Sequence, residues 1–333
     1  MTRPDNTPDA EPSYRHRWFL FSGAGVLILV VILGALWCVT RGTELATLRG
    51  HRGAVRTAAF APDGSALASA GDDKTICVWD PATYRLRLRL EGHTGKVTGL
   101  AFAAKQNLLA SASDDHTVRL WDVGSGHEVA IIDASKTAVD CIAFSPDGTV
   151  LASAGADELI HVWMVDTRKL LTVLRGHTKR IRALASSPDG FTLLSAGEDG
   201  TIRFWDWKGG SARGTLPAGR HRIHQLAASQ ETLACAVTGS GVRRWHLASR
   251  QEQPRIEGTG MAMSLAFGPE GRLLATGHED GAVKLWDVMA GQLLAEHRGH
   301  KGPVLAVTFA PGGKTIATAG GDGTVKIWSA PSR

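Results

Sequence analysis

The chain has 333 residues, 43% of them hydrophobic and 21% charged, with a formal net charge of +5 and 39 glycines. That is too apolar for a disordered chain. So mild a charge, with no run of Lys and Arg, gives no stripe on which nucleic acid would lie.

Residues 1–17 open with a stretch rich in Pro, Asp and Thr and close on Tyr14, Arg15, His16 and Arg17. The first part has little to bury and is expected to be a disordered tail. Residues 18–39 contain no charged side chain. At about 1.5 Å of rise per residue they are long enough, as a helix, for a hydrocarbon core of about 30 Å, so a transmembrane helix is expected. Trp18 and Trp37 suit the two interfaces, and Gly23 and Gly25 do not form the GxxxG dimerisation spacing. A cleaved signal peptide is the rival reading. Leu36, Trp37, Cys38 and Val39 offer no small-x-small cleavage site, which favours an uncleaved anchor. Arg15 and Arg17 outweigh Arg41, itself offset by Glu44, so the N-terminus is expected in the cytoplasm and the rest of the chain across the membrane. Residues 40–43 read as a short linker.

From residue 44 onward one unit is written seven times, ending at Trp79, Trp121, Trp163, Trp205, Trp245, Trp286 and Trp328, a spacing of 40 to 42 residues. A period of that size signals stacked repeats. In the second unit KVTGLAF, LLASAS, TVRLWD and HEVAII read as strands separated by the turns AKQN, DDH and VGSG. Val118 and Leu120 face one side of this small sheet and Trp121 the other, so both faces need cover. Stacking seven such sheets radially supplies it. The expected fold is therefore all-β, a closed seven-bladed β-propeller of four-stranded antiparallel blades over residues 44–333. Cys77, Cys141 and Cys235 fall in strands of three different repeats and Cys38 in the apolar stretch; without zinc, redox or disulfide spacing they are expected to be inert thiols.

A Gly-His pair opens the unit, an Asp sits in the turn before its third strand, and Trp-Asp closes that strand. In these features the chain resembles the WD-repeat family from about Glu44 to Trp328. The resemblance implies a buried chain of His, Ser or Thr, Asp and Trp in each blade. The first blade would use His51, Ser69, Asp73 and Trp79, and the second His93, Ser111, Asp115 and Trp121. The fourth would use His177, Ser195, Asp199 and Trp205, and the seventh His300, Thr318, Asp322 and Trp328. A His, a Ser and an Asp also make a hydrolase triad. Four repeated sets with no oxyanion signature read as structure, not as four nucleophiles, so no catalytic residue is assigned.

Three units depart from the pattern. The third has Ser135 in the His position and Met164 after Trp163, but keeps Ser153 and Asp157. The sixth has Gly258 in the His position and keeps Thr276, Asp280 and Trp286. The fifth has Gly219, Cys235 and Gly239 in the His, hydroxyl and Asp positions, with His221 as a substitute only if the loop shifts. That blade is expected to be the least stable.

The last unit ends after its third strand, and residues 44–48 supply the missing fourth, so the N-terminal strand is expected to close the ring. That strand runs toward the Gly-His loops, here called the top face. The linker would then leave from the bottom, and the bottom would lie near the bilayer.

The resemblance implies that proteins or peptides bind on the top face around the central channel. The residue before each turn Asp gives Asp72, Asp114, Glu198 and Glu279. Positions three and five beyond the His give Arg56, Lys96, Asp140, Arg180, Arg182, Arg222 and His224. Arg180, Arg182, Arg222 and His224 gather on the fourth and fifth blades, a seat for an acidic or phosphorylated segment; a merely solvated rim is the other reading. His221 and His224 lack a third ligand, so no metal is expected, and no cofactor is. The sequence thus reads as a membrane-anchored, non-catalytic scaffold. A ligand-binding or enzymatic propeller using the channel, or the sensor subunit of a larger signalling complex, is the alternative.

Overall fold

The computed structural model describes residues 40–41, 43–104 and 107–331. The tail, the apolar stretch with its anchor or signal peptide, and Cys38 lie outside the described residues. Among the described residues there is no helix, and so none long and apolar enough to cross a membrane.

Seven antiparallel sheets form seven blades. In the first, Val55–Phe60, Leu67–Gly71, Ile76–Trp79 and Leu86–Leu90 follow one another from the axis outward. The second repeats this with Val97–Phe102, Leu108–Ser113, Thr117–Asp122 and Glu128–Asp133. The second strand is buried along its whole length in the first five blades and along all but its first residue in the sixth and seventh. It is flanked by strands on both edges and blades on both faces, which is why it reads as an unbroken apolar and small-residue run such as Leu-Leu-Ala-Ser-Ala-Ser. Alanines there let neighbouring sheets approach closely.

The tryptophans join the blades. Trp121 packs into the first blade against Ala68, Ile76, Val78 and Leu90. Trp163 enters the cluster of the second blade, Trp205 that of the third, Trp245 that of the fourth and Trp286 that of the fifth. A buried indole of this size is worth about 3–5 kcal/mol against alanine. Hydroxyls add bonds between inner strands: Thr98 donates to the Val139 carbonyl at 2.6 Å and Ser264 to that of Val304 at 3.0 Å.

Glu44–Arg49 pairs antiparallel with Thr324–Ser329 and completes the seventh blade, in the register Glu44↔Trp328 and Arg49↔Thr324. Lys326 Nζ lies 2.8 Å from Glu44 Oε1 across this seam. The linker departs from expectation. Thr40–Arg41 is a short strand running parallel to Gln292–Arg298, the outer strand of the sixth blade, with Thr40 opposite Ala295 and Arg41 opposite Glu296. The open edge of that strand offers free backbone donors and acceptors, and two linker residues take them up. The linker therefore flanks the middle of the sixth blade instead of leaving directly from the bottom.

Candidate functional site

Four blades carry the complete polar chain. In the second, the Trp121 indole N–H donates to Ser111 Oγ at 2.8 Å, Ser111 Oγ and His93 Nε2 are 2.7 Å apart, and His93 Nδ1 lies 2.7 Å from Asp115 Oδ2. Since the hydroxyl accepts from the indole, its own proton goes to Nε2, and Nδ1–H faces the carboxylate. His51, Ser69, Asp73 and Trp79 make the same links. So do His177, Ser195, Asp199 and Trp205, and His300, Thr318, Asp322 and Trp328.

Burial holds the pKa of His51, His93 and His300 below the ordinary value, against the pull of their aspartates, so the imidazoles are neutral. Burial also acts to raise the aspartates, but their donors win. The Lys301 amide, the Thr324 hydroxyl and His300 bring Asp322 down to about 2. Ser69, Ser111, Ser195 and Thr318 are fully buried with their oxygens under an indole. A hydroxyl in that position cannot reach a substrate. The constellation fixes tryptophans and performs no chemistry.

The incomplete blades use residues that motif spacing does not find. In the sixth, His278 Nε2 meets Thr276 Oγ1 at 2.8 Å and Trp286 donates to that same hydroxyl at 2.9 Å. His278 thus replaces the imidazole missing at Gly258, entering from the strand and not from the loop. Burial, then Lys284, push it down to about 4. In the third blade Trp163 still donates to Ser153, while Asp157 takes Ser135 Oγ at 2.8 Å and His161 Nε2 at 2.9 Å. His161 also stacks on Trp163. The fifth blade builds no such chain: Cys235 is fully buried beneath Trp245, and His221 is exposed and does not substitute. Arg243 lies over the Trp245 ring instead, 5.1 Å from its centroid, with Glu252 holding it at 2.9 and 2.7 Å. A cation two residues before the tryptophan recurs as Lys284 over Trp286 and Lys326 over Trp328. Cys77, Cys141 and Cys235 are buried thiols, with burial pushing that of Cys77 up to about 11.

The channel mouth is different in kind. Each inner strand begins with a bulge that leaves its second residue without a cross-strand partner. These positions are Arg56, Thr98, Asp140, Arg182, His224, Met263 and Leu305. All seven line a cavity of about 320 Å³, together with Arg222 and Gln225. Bulges re-aim side chains, and here they aim seven, of six kinds, at one space. Thr98, Met263 and Leu305 escape a search for charged residues; the signal that finds them is their place five residues beyond each His position.

Ion pairs tie the charged members together. Arg56 binds Asp72, and Lys96 lies 3.5 Å from it. Arg180 forks onto Asp140 with both contacts at 2.6 Å. Arg182 binds Glu198 at 2.6 and 2.8 Å and reaches Asp140 at 3.7 Å. Of the cluster read from sequence, Arg182, Arg222 and His224 share the cavity and Arg180 does not line it, and Arg180 and Arg182 spend their forks on carboxylates of the chain itself. Arg222 stands apart: 47% exposed, it approaches Glu198 only to 3.7 Å. His224 bonds Thr238 at 2.9 Å, and burial, then Arg222 and Arg182, hold its pKa below the usual range. Asp114 and Glu279 sit on the same face beside their turn aspartates. Among the described residues no three His, Cys, Asp or Glu side chains gather as metal ligands. Two larger hollows, of about 470 and 520 Å³, open on the bottom between the fifth, sixth and seventh blades, lined by turn residues with exposed Glu270 and Arg272.

The family model described as "WD domain, G-beta repeat" matches residues 42–80, 84–122, 126–164, 168–206, 254–287 and 291–329. The matched stretches leave out the body of the fifth blade. A curated relative, DDB1- and CUL4-associated factor 13 of Dictyostelium discoideum, is 48% identical over 44 residues, 13% of this chain and 10% of the relative. The chain thus matches about a tenth of that protein's length.

Proposed function

The chain belongs to the WD domain, G-beta repeat family, and on that premise we propose that it is a non-catalytic platform that holds a protein or peptide partner over the channel mouth. One observation carries the reading. The buried polar chains repeat around the ring, whereas the bulged residues at the mouth vary from blade to blade: Arg56, Thr98, Asp140, Arg182, His224, Met263 and Leu305 are seven positions of one frame with six kinds of side chain. Repetition serves the fold; a non-repeated set on a rigid frame serves recognition. The relative with which the chain shares one repeat-sized stretch is named as a DDB1- and CUL4-associated factor, which supports a platform role without naming a partner for this chain.

A photo-crosslinking residue placed at Lys96 or His221 on the top, and at Ser125 on the bottom as control, tests this in cells. Capture of a discrete polypeptide from the top positions alone is the expected result; capture from Ser125 alone would move the binding face.

The apolar stretch at 18–39 is read, as part of the same proposal, as an anchor that places the propeller on the non-cytoplasmic side of a membrane. A protease-sensitive tag after Arg333 checks it. Loss of the tag in intact cells whose outer envelope has been opened supports export, and protection until lysis reverses the topology.

A further inference from the structure

The channel mouth is divided. Its cationic part lies on the fourth and fifth blades, where Arg182 and Arg222 line the cavity and Arg220 and His221 stand exposed beside them. The fifth blade supplies no carboxylate to balance them. Where the first, second, fourth and sixth blades place an acidic pair before the third strand, Asp72-Asp73, Asp114-Asp115, Glu198-Asp199 and Glu279-Asp280, the fifth has Thr238 and Gly239. The erosion that removes the polar chain of this blade therefore also strips two negative charges from its top. Among the described residues no acceptor hydrogen-bonds the Arg222 guanidinium, and Glu198 comes no nearer than 3.7 Å. The apolar part adjoins it. The sixth and seventh blades put Met263 and Leu305 at the bulge positions, and Met261, 44% exposed, stands on the loop leading to Met263.

We propose that the segment held at the mouth is an acidic peptide with one large aliphatic side chain, its carboxylate on Arg222 and its aliphatic group on Met263 and Leu305. This deepens the platform reading and rests on it. Charge complementarity selects the acid: a basic segment would meet Arg222 and Arg220 with no fifth-blade carboxylate to receive it. The aliphatic arc selects its neighbour, because Met and Leu gain by covering a flexible apolar group and offer nothing to a charged one. Met263 stands one blade and Leu305 two blades on from Arg222, and all three line one cavity, so the acid and the aliphatic residue lie close together along the segment.

The test uses the full-length purified chain and three fluorescein-labelled peptides in fluorescence anisotropy at about 0.15 M salt, where distant charge effects are screened beyond about 8 Å. The first peptide has a Glu-Leu-Glu core between Gly-Ser flanks, the second has Lys for each Glu, and the third has Ser for Leu. The first is expected to bind at least tenfold more tightly than the second and several-fold more tightly than the third. Arg222→Glu should weaken the first peptide at least tenfold. The double change Met263→Ser with Leu305→Ser should abolish the preference for leucine while leaving the affinity for the serine peptide unchanged. Both variants alter partly exposed side chains, and an unchanged melting midpoint verifies that they fold. Equal binding of the acidic and lysine peptides, tighter binding of the lysine peptide, no binding of any, or indifference to Arg222→Glu each overturns the proposal. If top-face crosslinks nonetheless capture a partner, the platform reading stands and only its acidic chemistry falls; if they do not, both fall.

Discussion

The second and fifth blades bury a tryptophan in the same place by opposite means. Trp121 is pinned through Ser111 and His93 to Asp115, which also takes the Thr94 amide at 2.9 Å and the Thr117 hydroxyl at 2.6 Å, so every buried polar group in the chain is answered by another. Trp245 has Cys235 and two glycines where that chain would be, and arginines hold the blade instead. Arg243 covers the indole and forks onto Glu252, Arg244 reaches the Pro254 and Val288 carbonyls, and Arg250 lies 4.2 Å over the Phe204 ring of the fourth blade. The outer strand of the fifth blade shrinks to Glu252–Gln253, ahead of Pro254. A propeller therefore tolerates the loss of one polar chain provided that packing and well-covered arginines take over its work. The two solutions differ in what each component is worth.

Cutting the buried chain should hurt most. Asp115→Ala leaves buried His93 and the Thr94 and Thr117 donors without their acceptor, and about 3 kcal/mol of stability should go, read as a lowered guanidinium midpoint of tryptophan fluorescence. An unmoved midpoint would mean that the chain is ornamental in the second blade too. Acid should come next. The unfolded chain protonates His278 near 6.5 and the folded one only near 4. Over that window the unfolded state binds more protons, so stability is full above 6.5 and is lost as pH falls toward 4, by on the order of 3 kcal/mol. His278→Gln should flatten melting midpoints across that range, and a curve unchanged by it would assign the acid lability elsewhere. Removing the cation from the fifth blade is a smaller loss. Arg243→Met should cost about 1 kcal/mol and show first as faster amide exchange in Gly241–His246. The smallest effect runs the other way: Cys235→Ser offers Trp245 the acceptor that Ser111 gives Trp121, for a gain of at most about 1 kcal/mol. A loss would mean that a hydroxyl without its imidazole is worse than a thiol. Gly219→His is no route to the full chain, because φ there is +129° and a side chain would be strained.

The blades were legible because each is announced by a tryptophan at fixed spacing and by strands whose apolar pattern admits no helix. Thr117–Asp122 and Leu108–Ser113 fall where alternation and the DDH turn place them. What stayed hidden did so for physical reasons. His278 and His161 reach their partners from a strand, and a motif read from the loop has no term for a residue that arrives from another direction. Thr98, Met263 and Leu305 line the mouth because of a backbone bulge, a matter of register that single-residue chemistry does not reveal. The exhaustion of Arg180 and Arg182 by Asp140 and Glu198 depends on distances across and within blades. The strand at Thr40–Arg41 exists only because the sixth blade leaves an edge for it.

The seam of the seventh blade sets a schedule for biosynthesis. Glu44 and Lys326, which meet across it, are 282 residues apart. A ribosome adding about 5–20 residues per second finishes Glu44–Arg49 roughly 14–56 seconds before it makes Thr324–Ser329. Throughout that interval Glu44–Arg49 has no strand to join, and its row of backbone donors and acceptors is open to any other extended chain. The ring that is most rigid when finished is thus an unclosed arc while it is being built. Closure costs the entropy of one very long loop, which grows only slowly with length, so the penalty falls on the speed and fidelity of assembly more than on final stability.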